Sequence, residues 1–194
     1  MFLQFQLSFC ISGIFSYHED FDKNGVLFGL ATSFGTKPWA NPVESEKVCV
    51  KRSSESEGHT AQIANHTILG NRSCCTGDEK NSWWQISFTS NQALFVSHYT
   101  LRHGRGDGAF VLKNWQFQGS NDGKEWTTLD THKKSSSLPQ KSFSSHTFRI
   151  KGEVTAWRHF RVLQTGMNSS KNYQFYLAGL ELYGLLVQLK EAGV

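Results

Sequence analysis

A glycine-rich stretch in the middle of the chain carries side chains that are suited to binding. Residues 102–108 read RHGRGDG, which places two arginines, one histidine and one aspartate close together. Glycine allows a sharply bent backbone, and arginine makes strong, charge-assisted hydrogen bonds to carboxylates and phosphates. The stretch therefore predicts a loop that binds an acidic or phosphorylated partner, with a solvated turn as the alternative.

A second polar stretch has the residue types of a calcium site. Residues 18–25 read HEDFDKNG, and their D-x-D-x-N-G core matches the first half of an EF-hand loop. The match fails at the twelfth position, where an EF-hand needs glutamate and this chain has Ala31. An irregular calcium site at Asp20 and Asp22 stays open, and the alternative, which we favour, is a turn with solvated acids.

The remaining polar residues do not form a recognisable catalytic pattern. The eight histidines include no H-E-x-x-H, and the sequence has neither G-x-S-x-G nor a phosphate-binding G-x-x-x-x-G-K-[ST] loop. The sixteen acidic residues give no identifiable carboxylate pair of the kind that glycosidases use. The formal net charge of +4 is spread along the chain, which does not indicate a nucleic-acid partner. We therefore predict that the chain is not an enzyme and has no cofactor, apart from the calcium considered above.

Cysteine usage and the N-terminus bear on the compartment. The four cysteines contain no C-x-x-C pair, which argues against a zinc site and favours idle thiols in a reducing compartment. Residues 1–16 are apolar but shorter than a membrane span of about 20 residues, and they lack the basic residues of a signal peptide. Three N-x-S/T triplets, at Asn65, Asn71 and Asn168, keep secretion open as the alternative. We predict a cytoplasmic protein without a transmembrane segment.

The elements that must position these loops have the pattern of short β-strands. Apolar and polar residues alternate at residues 84–88, 160–162 and 180–182, as on a strand with one buried face. Turn signals separate such runs, for example the Asn-Asp-Gly at residues 121–123. Because strands and helices do not alternate, the pattern predicts an all-β fold, an antiparallel β-sandwich or jelly roll.

These strands delimit one domain without an internal repeat. Residues 14–184 form the predicted domain, residues 1–13 an N-terminal appendage and residues 185–194 a tail that could make one or two helical turns. The loops of a sandwich gather at its two ends, where the sheets hold them in place. Binding residues are therefore expected in these loops.

Separated motifs along the chain resemble the discoidin, or F5/8 type C, superfamily. The motifs are WWQISF at residues 83–88, YTLRH at 99–103, NW at 114–115, GSNDGKEW at 119–126, FRV at 160–162 and LELYG at 180–184. Their order follows the family pattern, although Ser87 stands where the family usually has aspartate. A narrower resemblance, over residues 16–184, is to the galactose-binding-domain-like module of a HECT-type ubiquitin ligase with ankyrin repeats and of several BTB-domain proteins.

The resemblance implies a sandwich of about eight core strands whose end loops bind sugars, phospholipids, collagen, peptides or degradation signals. The secreted branch usually closes the domain with a disulfide between its ends, whereas this chain has no cysteine after residue 75. That difference favours the intracellular branch. The resemblance thus implies a non-catalytic module for protein–protein interaction or substrate recruitment in a ubiquitin-ligase or BTB-type assembly. The alternative is a secreted domain that binds carbohydrate or phospholipid.

The ligand-binding rim is predicted at loop tips near residues 34–39, 102–110 and 168–173. Lipid-binding members of the family present exposed aromatic or leucine side chains at such tips, and Trp39 and Phe110 are the candidates here. A protein or peptide is the expected partner. The predicted rim consists of Trp39, Arg102, His103, Arg105, Asp107, Asn168, Lys171 and Tyr173.

Overall fold

The strands of the computed structural model form two antiparallel sheets that enclose the apolar core. The structure describes residues 9–65, 74–89, 91–152 and 155–190. The strands are β1 (Phe9–Phe15), β2 (Val48–Arg52), β3 (Trp83–Phe88), β4 (Gln92–His103), β5 (Trp115–Ser120), β6 (Thr127–His132), β7 (Ser145–Arg149), β8 (Ala156–Trp157), β9 (His159–Gln164) and β10 (Leu177–Leu189). Two short helices that were not predicted accompany them, α1 (Val26–Ala31) and a 3₁₀-helix (Thr60–Ala64). The predicted all-β antiparallel sandwich is confirmed.

Aromatic side chains tie the two sheets together. The first sheet has the order β1-β10-β4-β7, with β8 beside β4, and the second has the order β2-β3-β9-β5-β6. Tyr99 of β4 stacks on Phe117 of β5 with ring centroids 4.0 Å apart, and Phe117 stacks on Phe160 of β9 at 5.6 Å. The alternation at residues 84–88 is confirmed, because Trp84, for example, is 1% exposed. Large rings of this kind supply much of the buried apolar area of a sandwich.

The loops of the sandwich divide between two ends. β4 ends beside the start of β10, at His103 and Leu177, and β5 starts beside the end of β9. The loops at this end, which we call the loop end, span residues 53–59, 74–82, 104–114, 133–144 and 165–176. At the opposite end Phe9 pairs with Leu189. β1 therefore begins, and β10 ends, at the end opposite the loop end.

Strand pairing extends past both of the domain boundaries that were set from the sequence. β1 begins at Phe9, and residues 184–189 of β10 pair with it. The helical turns predicted for residues 185–194 are therefore wrong for residues 185–189, because this segment pairs as a strand with β1 and β4. Residues 1–8 and 191–194 lie outside the described residues, and the division of the chain otherwise stays a prediction. Within the described part, no helix is long and apolar enough to cross a bilayer.

One buried carboxylate joins α1 to the first sheet. Glu181 of β10 accepts hydrogen bonds from the backbone N–H groups of Leu27 at 2.7 Å, Phe28 at 3.1 Å and Leu182 at 2.9 Å. A Cβ on Gly25 would lie 2.1 Å from Cδ of Glu181, so the residue before α1 must be glycine. Burial raises the pKa of Glu181 to about 7, although the three N–H donors favour the ionised carboxylate.

The raised pKa of Glu181 makes the stability of the fold depend on pH. The folded-state pKa of about 7 lies above the ordinary value of 4.5. The stability that the protonated form of Glu181 contributes is therefore fully present below pH 4.5. It is lost as the pH rises through about 7. We expect the unfolding free energy of the wild-type protein to fall relative to that of Glu181→Gln across this window, by up to about 1.4 kcal/mol per pH unit. Urea unfolding of both proteins at several pH values measures the difference, and parallel curves would contradict the expectation.

Candidate functional site

Arg105 is the centre of a polar cluster at the loop end. Its Nε donates to Oδ1 of Asp107 at 3.0 Å and its Nη2 to Oδ2 at 2.5 Å, so the two side chains form a two-point ion pair. Its Nη1 donates to the hydroxyl of Tyr176 at 3.1 Å. The guanidinium carbon also lies 4.7 Å from the ring centroid of Phe110 and 5.0 Å from that of Tyr176. One carboxylate and two aromatic rings thus fix the position of Arg105.

The charges of this cluster persist at physiological pH. Hydrogen bonds from Arg105 and from the backbone N–H of Ala109 hold the pKa of Asp107 at about 2. The side chain of Asp107 is 51% exposed and that of Arg105 is 28% exposed. Because the two charges neutralise each other, an approaching ligand meets a fixed dipole and not a free arginine.

Neighbouring loops hold the 104–114 loop from two sides. Val111 donates its backbone N–H to the hydroxyl of Ser169 at 2.9 Å, which joins this loop to the one before β10. Phe143 donates its backbone N–H to the carbonyl of Arg105 at 3.1 Å, which joins it to the loop before β7. The three loops therefore form one connected surface.

The predicted rim residues of the last loop differ in role. Asn168 is 5% exposed, and its amide donates to the carbonyl of Gln174 at 2.9 Å, so it organises the loop and does not project from it. Lys171 is exposed. Tyr173 is half-buried and donates its backbone N–H to Asp78 at 2.7 Å. Lys171 and Tyr173 therefore remain the candidates for ligand contact in this loop.

Arg102 and His103 do not reach the surface of the rim, where they were predicted to lie. Arg102 is 8% exposed, and its guanidinium lies 3.6 Å from the ring centroid of Phe21. His103 is 2% exposed, and burial lowers its pKa to about 4, so its imidazole is neutral at physiological pH. The reason is that β4 continues to His103, so these two side chains belong to the packed sheet and not to the loop.

Trp39 lies apart from the other predicted rim residues. Ala40 donates its backbone N–H to the carbonyl of Ala31 at 3.0 Å, which places Trp39 beside the C-terminal end of α1. That end of α1 borders a cavity lined by Gln92 and Gln188. These two residues pair at the end of the first sheet that is opposite the loop end. Trp39 is 40% exposed, but the structure does not bring it to the loop end.

Among the described residues, exposed apolar side chains are more numerous on the side of β1 and α1 than at the loop end. At the loop end Met167 is 48% exposed. Phe110, a predicted aromatic tip, instead packs on Tyr176 with ring centroids 5.2 Å apart and lies against Arg105. On the side of β1 and α1, the exposed apolar residues are Phe9, Ile11, Ile14, Phe34 and Trp39, of which Phe34 and Trp39 belong to the predicted tip at residues 34–39.

Asp20 and Asp22 are engaged by other groups of the protein. Asp20 accepts hydrogen bonds from the hydroxyls of Ser145 at 2.8 Å and Thr147 at 2.6 Å, both on β7. Asp22 accepts the backbone N–H of Asn24 at 2.9 Å, as in an Asx turn. No group of three or more His, Cys, Asp or Glu side chains suited to a metal ion occurs among the described residues. The calcium site stays a prediction, and the geometry gives both carboxylates structural roles.

Sequence reasoning missed Tyr176 as a member of the cluster. Its hydroxyl meets Arg105 across 71 residues of chain, so no local pattern joins the two. A signal did exist in the LELYG motif, which marks the last strand. A residue just before that strand belongs to the same end of the sandwich as the glycine-rich loop.

The family model of the F5/8 type C domain matches residues 50–177 of the chain. The chain belongs to the F5/8 type C family. The match runs from β2 to the first residue of β10 and includes all five loops of the loop end. The protein is therefore a discoidin-like ligand-binding module.

Three curated relatives carry a similar F5/8 type C module within longer chains. The domain is 36% identical over 182 residues to the E3 ubiquitin-protein ligase Ufd4 of Drosophila melanogaster, which covers 90% of this chain and 6% of the ligase. It is 34% identical over 179 residues to the E3 ubiquitin-protein ligase hecd-1 of Caenorhabditis elegans, covering 88% of this chain and 6% of the ligase. A BTB/POZ domain-containing protein of Arabidopsis thaliana is 32% identical over 176 residues, covering 87% of this chain and 22% of that protein. The chain thus spans only a small part of the length of these relatives.

Solved structures share the fold of this F5/8 type C domain. CpGH89CBM32-5 from Clostridium perfringens, in complex with GalNAc-β-1,3-galactose, has a TM-score of 0.57 and 13% identity, covering 71% of this chain and 96% of the other. The lectin domain of lectinolysin, complexed with Lewis b antigen, has a TM-score of 0.53 and 18% identity, covering 70% and 91%. At these identities the likeness shows the fold alone.

The buried position of Arg102 predicts a role in stability. Arg102→Ala removes the cation–π contact with Phe21 and the packing of the aliphatic stem, so we expect a loss of about 1–3 kcal/mol in unfolding free energy. The matched control is Arg149→Ala on the adjacent strand β7, which is exposed and should change stability by less than about 0.5 kcal/mol. Equal effects of the two substitutions in urea unfolding would refute the assignment.

The ion pair predicts local order in the 104–114 loop. Asp107→Ala removes the acceptor of Arg105 and of the Ala109 N–H, so amide hydrogen exchange should become faster at Ala109 while β4 stays protected. Asp122→Ala is the matched control, since Asp122 accepts backbone N–H groups in a turn at the opposite end. It should speed exchange at Lys124 and leave the loop end unchanged. Unaltered exchange at Ala109 in the Asp107 variant would show that the ion pair does not order the loop.

Proposed function

We propose that this F5/8 type C domain is a non-catalytic protein-interaction module that recruits a protein partner through its loop end. Its role would be substrate recruitment in a ubiquitin-ligase or BTB-type assembly in the cytoplasm. The observation that carries the proposal is the cluster of Arg105, Asp107, Tyr176 and Phe110, which fixed contacts hold at the loop end. Polar groups held in place before binding favour recognition, because less conformational entropy is lost when the partner binds.

The position of the loop end supports this role. Two of the relatives are named E3 ubiquitin-protein ligases, and the module makes up 6% of each. A module inside a long chain needs a binding surface that its own attachment points leave open. In this domain Phe9 and Leu189 pair at the end opposite the loop end, which meets that need.

Two further observations support a cytoplasmic location. All four cysteines are free, as is usual in a reducing compartment. Of the three N-x-S/T triplets, Asn65 and Asn168 are buried and hydrogen-bonded to Asn41 and Asn172, whereas a glycan needs an exposed asparagine. Asn71 lies outside the described residues.

Carbohydrate binding is the second candidate, since two proteins of the same fold were solved with bound glycans. A sugar ring in such a site would stack on an exposed aromatic face. In this domain the guanidinium of Arg105 already lies over the rings of Phe110 and Tyr176. The polar groups of the cluster are therefore more open to contact than the aromatic faces, and this favours a protein partner that makes hydrogen bonds to them.

The proposal is tested by partner capture with matched variants. Arg105→Ala with Lys171→Ala alters the loop end, and Lys51→Ala with Lys124→Ala alters two exposed lysines elsewhere. We expect the wild-type protein and the control to enrich the same cytosolic proteins, and the loop-end variant to capture at least about fivefold less of them. Thermal unfolding verifies that all three proteins are folded. Equal capture by all three would remove the loop end from the proposed function, and binding to a glycan array that needs Arg105 would support the carbohydrate alternative.

A further inference from the structure

The loops at the loop end carry their charges in two separate groups. Loops 104–114, 133–144 and 165–176 contain six basic residues and one acidic residue, a net charge of +5. Loops 53–59 and 74–82 contain four acidic residues and one basic residue, a net charge of −3. The whole chain has a net charge of +4, so the basic loops alone exceed it. The loop end therefore has a basic side and an acidic side.

The basic side keeps its lysines available for a partner. Its single acid, Asp107, is already paired with Arg105. In the described part of the chain, no ion pair joins the remaining lysines to an acid. All of them are exposed except Lys113, which is half-buried. These lysines, which we call the basic crescent, are Lys113, Lys133, Lys134, Lys141 and Lys171.

One backbone–backbone hydrogen bond and two through the side chain of Asn114 connect the loops that carry the basic crescent. Ser135 donates its N–H to the carbonyl of Lys113 at 2.9 Å, and Lys134 donates its N–H to the side chain of Asn114 at 2.9 Å. Asn114 in turn donates its side-chain amide to the carbonyl of Met167 at 2.9 Å. These hydrogen bonds hold the three loops together, and four of the five lysines that the loops carry are exposed.

We propose that the basic crescent binds an acidic segment of a protein partner, rich in aspartate and glutamate. The inference rests on the proposed function, because it names the chemistry of the partner at the same loop end. Lysines distributed over three connected loops match an extended run of carboxylates, since each adds a separate attraction that steers the approach. The exposed thioether of Met167 offers an adaptable apolar contact to a residue within such a segment.

The acidic side of the loop end gives the complex a direction. Glu55, Glu57, Asp78 and Glu79 lie on the loops 53–59 and 74–82, which Ser54 joins by accepting the Gly77 N–H at 3.0 Å. Tyr173 donates to Asp78 and so links this side to the basic loops. An acidic segment that shifted toward these loops would meet the like charges of Glu57, Asp78 and Glu79, whereas Glu55 is paired with Arg52, and this repulsion disfavours that position.

The test uses a fluorescein-labelled peptide of aspartate and glutamate around one leucine, with fluorescence anisotropy as the readout. The crescent variant combines Lys133→Glu, Lys134→Glu and Lys141→Glu. The matched control combines Lys37→Glu, Lys51→Glu and Lys124→Glu, three exposed lysines outside the crescent, so both variants have the same net charge. We expect the wild-type protein and the control to bind the peptide with affinities within about threefold, and the crescent variant to bind at least about tenfold more weakly. Binding should also weaken as salt is raised.

Three results would overturn the inference. The first is that the wild-type protein does not bind the peptide. The second is that the two triple variants lose affinity equally, which would show an effect of net charge alone. The third is tighter, crescent-dependent binding of a single-stranded RNA of equal charge, which would assign the surface to nucleic acid. If the peptide fails while protein capture still depends on Arg105 and Lys171, the acidic-segment inference falls and the proposed function stands.

Discussion

The hydrogen-bonded ladder between β4 and β10 determines where the polar cluster around Arg105 can form. Its register sets Leu177 opposite His103, so the loop after β4 and the loop before β10 leave the sheet side by side. Arg105 and Tyr176 lie on these two loops and meet at 3.1 Å. A slip of one residue in this ladder would turn every side chain of the strand to the opposite face. The cluster is thus a consequence of strand register as much as of the residues that compose it.

The same ladder places polar residues on the outer face of the first sheet, and the segment before β2 covers them. Phe21 lies over Arg102, and the N-terminus of α1 lies over Glu181. A Cβ on Gly179 would lie 2.7 Å from the ring of Phe21, so this approach requires glycine. A buried charge is costly unless it has partners, and here the covering segment supplies them. The segment before β2 therefore stabilises the first sheet, and the register of that sheet positions the loop end.

Local patterns in the sequence were sufficient to predict the sandwich but not its long-range contacts. Residues 84–88 reveal a strand because period-two alternation is a local property. The glycine-rich stretch likewise indicates the loop that holds Arg105. The contact of Glu181 with Leu27 spans 154 residues, and a single sequence contains no signal for such a pair. For the same reason Arg102 was placed on the rim, since nothing near it in sequence shows that Phe21 covers it.

The separation of charge at the loop end bears on specificity more than on stability. Exposed charges in loops contribute little to the folding free energy, because water and salt screen them. The arrangement of these charges therefore has little effect on the folding free energy, so it can be complementary to a partner without destabilising the fold. The ion pair of Arg105 and Asp107 lies on the basic side and is neutral as a unit, so it adds fixed hydrogen-bonding groups without changing the local charge. In the proposed complex, steering by the lysines and orientation by this pair are thus separate tasks, and a partner would have to satisfy both to bind in one position.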